Sequence, residues 1–250
     1  MISVVIPFYN EEQRLDSGVK LIEGIKSILS FFETELSAYP KDYLEFVLVD
    51  DGSLDNTATI LNRVKESLSN IPIRVLSYLP NRGKGYAVKQ GVLNCNGDKI
   101  IVMDADFSVD LVEIPKFVKE LDSYDLVIGS KNLLQKHPNN FKGFIRRCLG
   151  KGHTLIANTL LGIKFTDITC GFKAYRGQQA RKMFKKQIIN RWSYESESLF
   201  IAKKLGYAVK EFSVKWSHME GSKVNPLIDA YRSIRDLLII RLNDQLGKYD

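Results

Sequence analysis

The sequence predicts an α/β protein with a mostly parallel sheet flanked by helices, followed by amphipathic helices near the C-terminus. In the first half, short apolar runs of strand length alternate with longer segments whose apolar residues recur at helical spacing. This alternation is typical of a parallel sheet covered by helices on both faces. Polar clusters also directly follow four of the apolar runs, at the carboxyl edge where such sheets bind ligands.

The elements of the first half can be predicted in order along the chain. The apolar runs that predict strands occupy residues 2–8, 44–49, 73–79, 99–103 and 126–128. The segments with helical spacing predict helices at residues 15–36, at 55–68, shortly after Gly85, and at 114–121. Each predicted helix lies between two predicted strands, as the crossovers of a parallel sheet require.

The second half has a different pattern. A helix that begins with several cations is predicted at residues 144–161, and a second helix at 196–205 lies between strands predicted at 172–175 and 208–216. Residues 225–246 predict a long amphipathic helix. Its apolar face is formed by Leu227, Tyr231, Ile234, Leu238, Leu242 and Leu246.

The composition limits the class of protein. A chain of 250 residues is long enough for one large α/β domain. The net charge of +7 favours an anionic partner such as a nucleotide, a phospholipid surface or a nucleic acid, although solubility explains it equally well. Three cysteines without a C-x-x-C spacing predict neither a disulfide framework nor a zinc site, and hence a reducing compartment.

Targeting and nucleic-acid signals are absent from the sequence. No run approaches the roughly 18 apolar residues of a membrane-spanning helix. Residues 2–6 already have the pattern of a strand and no basic leader precedes them, so we expect no signal peptide. No nucleic-acid module pattern is present, and acids line the same predicted rim as the cations, so we expect no nucleic acid as a partner.

Two carboxylates close the fourth predicted strand. Asp104 and Asp106 are two residues apart, a spacing that places both side chains on one face of a strand. Neighbouring carboxylates repel each other unless a cation lies between them. Mg²⁺ typically shares its oxygen ligands between one or two carboxylates and the phosphates of a substrate. The pair therefore predicts a metal site, and the alternative is two solvated loop acids.

Three further polar clusters follow the other predicted strands. Taken singly, each is explained by turns and helix caps, but four clusters at consecutive strand ends favour one common site. The glycine-flanked Lys84 fits neither a P-loop nor G-x-G-x-x-G, yet it can bring backbone and cationic donors to a phosphate. The three clusters are Pro7 to Glu11, Asp50 to Ser53 with Asp55, and Asn81 to Gly85.

Together, the four clusters resemble the GT-A domain of inverting family 2 glycosyltransferases. Residues 167–173, 191–197 and 220–223 narrow the resemblance to the dolichyl-phosphate glucosyltransferases, with the dolichyl-phosphate mannose synthases as close relatives. The resemblance covers nearly the whole chain. Lys131 departs from this resemblance, because the family has an arginine after Gly-Ser at this position. A lysine lacks the forked guanidinium with which an arginine makes a bidentate contact to a phosphate. Glu195 stands where an aspartate is usual.

The resemblance implies a nucleotide-sugar donor, with UDP-glucose favoured over GDP-mannose and UDP-N-acetylglucosamine. It implies that Asp104 and Asp106 hold Mg²⁺ or Mn²⁺ against the diphosphate. Lys223 would come from a loop at 220–225 that closes over the donor, and the alternative is a plain surface loop. The donor-binding residues that the resemblance implies are Pro7, Tyr9, Glu11, Asp50, Asp51, Gly83, Lys84, Asp104 and Lys223.

The implied acceptor is a polyprenyl (dolichyl) monophosphate. A phosphate monoester has a second pKa of about 6 and is already anionic at neutral pH, so it needs no strong general base. It needs cations instead, and the candidates are Lys131, Arg146, Arg147 and Lys151, although a solvated basic helix face is the alternative. Glu195 and Glu197 differ by about 200° around a helix. The resemblance favours Glu197 as the one that faces the substrate, beside Asp104 and Asp106 as catalytic residues.

We therefore expect a single GT-A domain over residues 1–250. Its parts would be a nucleotide-sugar half at 1–130, an acceptor half at 131–224 and a C-terminal amphipathic helix at 225–250. The basic residues of that helix suit a membrane interface, but such helices also commonly pack on their own domain. We expect a cytoplasmic protein, peripheral on the cytoplasmic face of a membrane. The basic residues are Arg232, Arg235, Arg241 and Lys248.

Two rival functions are consistent with the same residues. One is a family 2 transferase that uses a sugar hydroxyl of a surface polysaccharide as its acceptor. It requires a carboxylate base, because a hydroxyl is a poor nucleophile at neutral pH, and Asp167 or Glu197 would serve. The other rival is a non-catalytic protein that binds nucleotide sugars.

Overall fold

A computed structural model describes residues 1–37, 39, 43–131, 141–217 and 226–250, with the backbone alone at 141–149 and 226–230. The described residues contain one seven-stranded sheet, with strand order β3-β2-β1-β4-β6-β5-β7. This confirms the predicted α/β class. The strands are β1 (Ile2–Phe8), β2 (Leu44–Asp50), β3 (Ile73–Ser77), β4 (Lys99–Val102), β5 (Leu126–Ser130), β6 (Lys173–Arg176) and β7 (Val209–Ser213).

The sheet is parallel except at β6. Strands β1, β2, β3 and β4 pair in parallel, as do β5 and β7. Strand β6 runs antiparallel to both of its neighbours, β4 and β5. The carboxyl ends of β3, β2, β1 and β4 therefore lie side by side along one edge.

The helices cover both faces of this sheet. Side chains of β1 alternate between two hydrophobic clusters, with Val4 and Ile6 in one and Val5 in the other. Both faces are buried, as expected for a largely parallel sheet. The helices are α1 (Glu12–Leu15), α2 (Val19–Thr34), α3 (Thr57–Ser67), α4 (Lys84–Leu93), α5 (Ile114–Glu120), α6 (Phe141–Leu161), α7 (Gly177–Lys186), α8 (Tyr194–Lys204) and α9 (Pro226–Gln245).

Two helical segments differ from the prediction. The predicted helix at 15–36 is interrupted at its start, because Asp16 and Ser17 have positive φ angles of 48° and 55°. Helix α7 was not predicted at all. Its sequence is dominated by polar and basic residues, and it is held by the burial of Ala180, Met183 and Phe184.

Helix α9 packs on the domain with an unexpected face. Leu237 and Ile240 are fully buried in the cluster that α9 shares with α6, α7 and α8. The predicted apolar face points away from the domain: its members beyond position 230 are 41–71% exposed. Among the described residues, no helix is both long and apolar enough to cross a membrane. The exposed members are Tyr231, Ile234, Leu238 and Leu242, joined by Leu246 just beyond the helix.

Candidate active site

The loops that follow β1 and β2 are joined by hydrogen bonds. The backbone N–H of Asn10 donates to Oγ of Ser53 over 2.9 Å, and the N–H of Leu54 donates to Oδ1 of Asn10 over 2.8 Å. The N–H of Glu11 donates to Oγ1 of Thr57 over 2.8 Å. The first two polar clusters therefore form one surface at the carboxyl edge.

The acids of this surface have different surroundings. The carboxylate of Glu11 forms an ion pair with Arg14 over 2.6 Å. Asp50 is buried at the end of β2, where its Oδ1 accepts the N–H of Ser53 over 3.2 Å. Pro7 and Tyr9 are partly exposed beside them.

The carboxylate of Asp51 organises the loop after β3. It accepts hydrogen bonds from the Tyr78 hydroxyl at 2.9 Å, from Nδ2 of Asn81 at 2.7 Å, and from the N–H groups of Arg82 at 3.0 Å and Gly83 at 2.8 Å. Asp51 is buried, and both of its oxygens are engaged within the protein. We infer that it shapes the loop which carries Lys84.

The glycines on either side of Lys84 allow a close approach to the segment before α8. Gly83 has a φ angle of +108°, and a Cβ atom there would lie 2.6 Å from the carbonyl oxygen of Asn190. A Cβ atom at Gly85 would lie 2.6 Å from Cβ of Tyr194. Because these gaps have no room for a side chain, Lys84 is held against the first turn of α8.

Lys84 joins three elements at the carboxyl edge. It begins α4, and its Nζ lies 2.7 Å from Oδ1 of Asp104 and 3.2 Å from Oε1 of Glu195. The same ammonium lies 5.2 Å from the ring centre of Trp192. Burial opposes its charge, but Asp104, Tyr194 and Glu195 outweigh burial and hold the pKa of Lys84 well above its usual value.

The carboxylate of Asp104 lies near several lysine side chains. Burial opposes its ionisation, but Lys84 and, more distantly, Lys131 and Lys173 outweigh burial and hold the pKa of Asp104 below its usual value. Lys173 is itself buried and donates to the carbonyl oxygen of Ile168 over 3.2 Å, and also to that of Cys170. The buried Lys173 side chain therefore adds positive charge within electrostatic range of Asp104.

Asp106 is the second acid of the pair. It is partly exposed, and its Oδ1 accepts the N–H of Ser108 over 3.0 Å, which fixes the turn after β4. The described residues contain no group of three or more His, Cys, Asp or Glu side chains that could hold a metal. Asp104 and Asp106 do fit an ion such as Mg²⁺, which takes hard oxygen ligands from one or two carboxylates and the rest from phosphates and water.

Lys131 directly follows β5, at the same edge of the sheet. Its N–H donates to Oδ2 of Asp167 over 2.9 Å, and its Nζ donates to the carbonyl oxygen of Thr169 over 3.3 Å. Burial opposes its charge, but Asp167 and other acids outweigh burial and raise the pKa of Lys131. Lys131 is therefore a fixed cation within electrostatic reach of Asp104.

The other predicted cations are less well defined. Lys151 is exposed on α6. Arg146 and Arg147 belong to the same helix, where only the backbone is described. Lys223 and its loop at 220–225 lie outside the described residues.

The two acids at the start of α8 are placed in the reverse of the expected way. Glu197 is fully buried and accepts the N–H groups of Ile188 at 3.0 Å and Ile189 at 2.9 Å, together with the Tyr249 hydroxyl at 2.6 Å. Glu195 points instead toward Lys84. The reason is the phase of α8, because residues two apart lie on nearly opposite sides of a helix.

Several residues of the site have no role predicted from the sequence. Gly171, Lys173 and Trp192 were noticed only as parts of a resemblance, with no role attached. A lysine between two apolar residues at the start of a buried strand is a usable signal for Lys173. A Cβ atom at Gly171 would lie 2.7 Å from Cγ of Asp104, and this close approach has no local signal in the sequence because the two residues are 67 positions apart.

Paired acids and a glycine-flanked lysine lie at the carboxyl edge of a mostly parallel sheet, which is the edge where such sheets bind ligands. The chain matches the model of glycosyl transferase family 2 over residues 3–184 and belongs to that family. It is therefore a glycosyltransferase.

Several proteins are similar over nearly the whole chain. The dolichyl-phosphate beta-glucosyltransferase of Dictyostelium discoideum is 32% identical over 98% of this chain and 75% of its own length. The human protein of the same name is 31% identical over 99% of this chain and 77% of its own length.

The solved structures that resemble the chain have the same fold. Glucosyl-3-phosphoglycerate synthase of Mycobacterium tuberculosis superimposes with a TM-score of 0.63 at 20% identity, covering 99% of this chain and 81% of that chain. A second structure of that enzyme is a complex with Mn²⁺, UDP and glucosyl-3-phosphoglycerate. It also superimposes with a TM-score of 0.63 at 20% identity, covering 99% of this chain and 80% of that chain. The expected GT-A type of fold is thus confirmed.

Proposed function

We propose that this protein transfers glucose from UDP-glucose to a polyprenyl (dolichyl) monophosphate, with inversion at the anomeric carbon. The convergence of Lys84 on Asp104 and Glu195 carries the proposal, because it sets a fixed cation beside the acids that suit a metal-bound diphosphate. The identity of the substrates is supported by relatives named dolichyl-phosphate beta-glucosyltransferase that match almost the full chain.

On the donor side, we assign Asp104 and Asp106 to a bound Mg²⁺ or Mn²⁺. When bound, such an ion neutralises the charge that develops on the departing UDP. Lys84 supplies a second positive charge at the same place, held there by Gly83 and Gly85. The surface formed by Pro7, Tyr9, Glu11 and Asp50 is assigned to the nucleoside, and Lys223 to a second phosphate contact.

On the acceptor side, the anionic phosphate is assigned as the nucleophile. This assignment is supported by the state of the two acids that a hydroxyl acceptor would need as bases. Both oxygens of Asp167 are engaged, by the N–H of Lys131 and by the N–H and hydroxyl of Thr169. Glu197 is likewise engaged and fully buried. Neither acid is placed to take a proton from an incoming hydroxyl.

Cations position the acceptor in this account. Lys131 is anchored on Asp167 beside the metal-side acids, where the acceptor phosphate has to approach the donor sugar. Arg146, Arg147 and Lys151 of α6 are assigned to the same phosphate. A cationic rim attracts the anionic acceptor and offsets the repulsion between two phosphate compounds in one site.

The acceptor has a long apolar chain, so we propose that the protein works at the cytoplasmic surface of a membrane. The exposed apolar residues of α9 recur every three or four positions and so form one stripe along the helix. Leu155 of α6, the helix that packs against α9, is also exposed. Exposed cations such as Arg232 and Lys248 suit an anionic lipid surface.

A donor panel tests the proposed function. Purified protein would be incubated with Mg²⁺, polyprenyl monophosphate and, separately, UDP-glucose, GDP-mannose or UDP-N-acetylglucosamine, and sugar in the lipid phase would be counted. We expect transfer from UDP-glucose. Transfer from another donor would overturn the assignment of the sugar, and a lack of any lipid-phase product would overturn the assignment of the acceptor.

A further inference from the structure

The segment of residues 187–190, which precedes α8, is bonded to the first turn of α4. Nε2 of Gln187 donates a hydrogen bond to the carbonyl oxygen of Gly85 over 2.9 Å. The N–H of Tyr86 donates to the carbonyl oxygen of Asn190 over 3.0 Å. The start of α4, where the lysine of the candidate site lies, is therefore placed by this segment.

Glu197 of α8 holds the same segment from the interior of the protein. Its two carboxylate oxygens accept the N–H groups of Ile188 over 3.0 Å and of Ile189 over 2.9 Å. Because Glu197 is fully buried, bulk water does not compete for these oxygens. Hydrogen bonds to an ionised group are stronger than those between neutral groups, so the two bonds fix the 187–190 segment to α8.

A third donor to Glu197 comes from a residue that follows α9. The hydroxyl of Tyr249 donates to Oε1 of Glu197 over 2.6 Å, and its ring lies edge-on to that of Phe200. Burial and the Glu197 carboxylate raise the pKa of Tyr249, so the hydroxyl keeps its proton and remains a donor. The neighbouring Asp250 forms an ion pair with Lys204 over 2.5 Å, which helps to hold the buried tyrosine in place.

Helix α8 therefore reaches Lys84 in two ways. Glu195 contacts the Lys84 ammonium directly, over 3.2 Å. Glu197, on nearly the opposite side of the helix, reaches the backbone around Lys84 through the 187–190 segment. The 2.7 Å contact between Nζ of Lys84 and Asp104 depends on where that backbone lies.

We propose that Tyr249 is a positioning residue for the donor site, which acts through Glu197 and the 187–190 segment to hold Lys84 beside Asp104. This inference rests on the proposed function, in which Lys84 supplies positive charge at the donor diphosphate. Without the hydroxyl, a buried carboxylate oxygen loses a donor, so the carboxylate has to shift to replace the bond. That shift loosens its hold on the segment and, through the segment, on the start of α4.

Amide hydrogen exchange tests this coupling without any ligand. In Tyr249→Phe we expect faster exchange at residues 84–89 and 187–190, because the bonds between the two segments open more often. The control is Ser3→Ala, which removes a hydroxyl bond of the same 2.6 Å length to another buried carboxylate, that of Glu45, at the amino end of β1. Unchanged exchange at residues 84–89 in Tyr249→Phe, or an equal increase in Ser3→Ala, would overturn the inference.

Donor binding separates a positioning role from a purely structural one. In the presence of Mn²⁺, we expect the Kd for UDP-glucose to rise about fivefold in Tyr249→Phe and to stay unchanged in Ser3→Ala, although both substitutions lower the melting temperature. Isothermal titration calorimetry measures the Kd. In a Lys84→Met background, Tyr249→Phe should no longer change the Kd, because the side chain through which it acts is absent. A rise of equal size in both backgrounds would show that Tyr249 does not act through Lys84.

A lower melting temperature with the wild-type affinity for UDP-glucose would show that Tyr249 serves only the fold. The failure of the proposed function would look different. Wild-type protein would then bind no UDP-glucose, while the exchange at residues 84–89 would still report whether Tyr249 holds the start of α4.

Discussion

The backbone of Gly171 lies directly against the carboxylate of Asp104. A Cβ atom at position 171 would lie 2.7 Å from Cγ and 2.8 Å from Oδ1 of Asp104, closer than atoms in contact can approach. Position 171 therefore has no room for any side chain while Asp104 keeps its place beside Lys84. This single contact explains why residue 171 is a glycine.

Gly171→Ala should displace the Asp104 carboxylate and weaken metal binding. We expect the affinity for Mn²⁺ in the presence of UDP to fall at least about tenfold, which is typical when the support of a metal ligand is disturbed. Isothermal titration calorimetry measures this directly. The matched control is Gly152→Ala, where the added methyl meets no described atom within 4 Å. Equal Mn²⁺ affinities in the two variants would contradict the positioning role of Gly171.

Asp51→Asn should destabilise the folded protein. The amide that replaces one oxygen cannot accept the hydrogen bonds now made there, so donors such as the N–H of Gly83 lose their partner. We expect the free energy of unfolding to fall by about 3 kcal/mol. Tyr78→Phe removes one of these bonds and should cost about 1 kcal/mol. Urea denaturation gives both values, and a loss in Asp51→Asn no larger than that in Tyr78→Phe would disprove the loop-shaping role.

Glu197 should make stability depend on pH. Burial raises the pKa of Glu197 above its usual value of 4.5, although bonds from Tyr249, Ile188 and Ile189 oppose the rise. Between 4.5 and the raised value, the folded protein holds more protons than the unfolded chain. The free energy of unfolding therefore falls as pH rises through this window, and the contribution is greatest below it.

Glu197→Gln should remove the contribution of Glu197 to the slope of the free energy of unfolding against pH. Urea denaturation across a pH series compares the variant with wild type, and the slope is the quantity that matters, because the substitution also alters buried hydrogen bonds. Glu66→Gln, at an exposed site on α3, controls for the loss of one carboxylate. A Glu197→Gln protein with the wild-type slope would show that Glu197 titrates normally in the folded state.

The exposed stripe of α9 should bind lipid. The double variant Leu238→Asp with Leu242→Asp places two charges on this stripe, and we expect its co-sedimentation with vesicles of phosphatidylcholine and phosphatidylglycerol to fall about tenfold or more. Val19→Asp, at an exposed apolar position on α2, is the control. If all three proteins sediment equally with the vesicles, the stripe is not the membrane-binding surface.

The sequence was informative where its signals are local. Apolar runs predicted the strands, and the polar clusters after them predicted the edge where Asp104 and Lys84 meet. Local sequence did not indicate which of Glu195 and Glu197 faces Lys84. This depends on where α8 begins and on the distant Tyr249, whose hydroxyl donates to Glu197.

Tertiary packing explains the other differences between the predicted and the observed structure. Helix α9 has an apolar stripe in the sequence, but the side that faces the domain is set by how Leu237 and Ile240 fit against the other helices. Helix α7 carries Ala180, Met183 and Phe184 at the i, i+3, i+4 spacing of a helix, but this short pattern lies among polar and basic residues and was not predicted as a helix. The partners of Asp51 lie 27 to 32 residues away, so the loop-shaping role could not be predicted from its motif.

The central claim is that the phosphate of a polyprenyl monophosphate is the nucleophile toward UDP-glucose at a site built on Asp104 and Asp106. The most direct measurement supplies UDP-[¹⁴C]glucose and Mg²⁺ together with either polyprenyl monophosphate or the corresponding polyprenol, using wild type and Asp106→Asn. We predict label in the lipid phase only with the monophosphate, as a β-linked product, and a rate lower by about 10²-fold or more in Asp106→Asn. Label transferred to the polyprenol, or an equal rate in Asp106→Asn, would contradict the account.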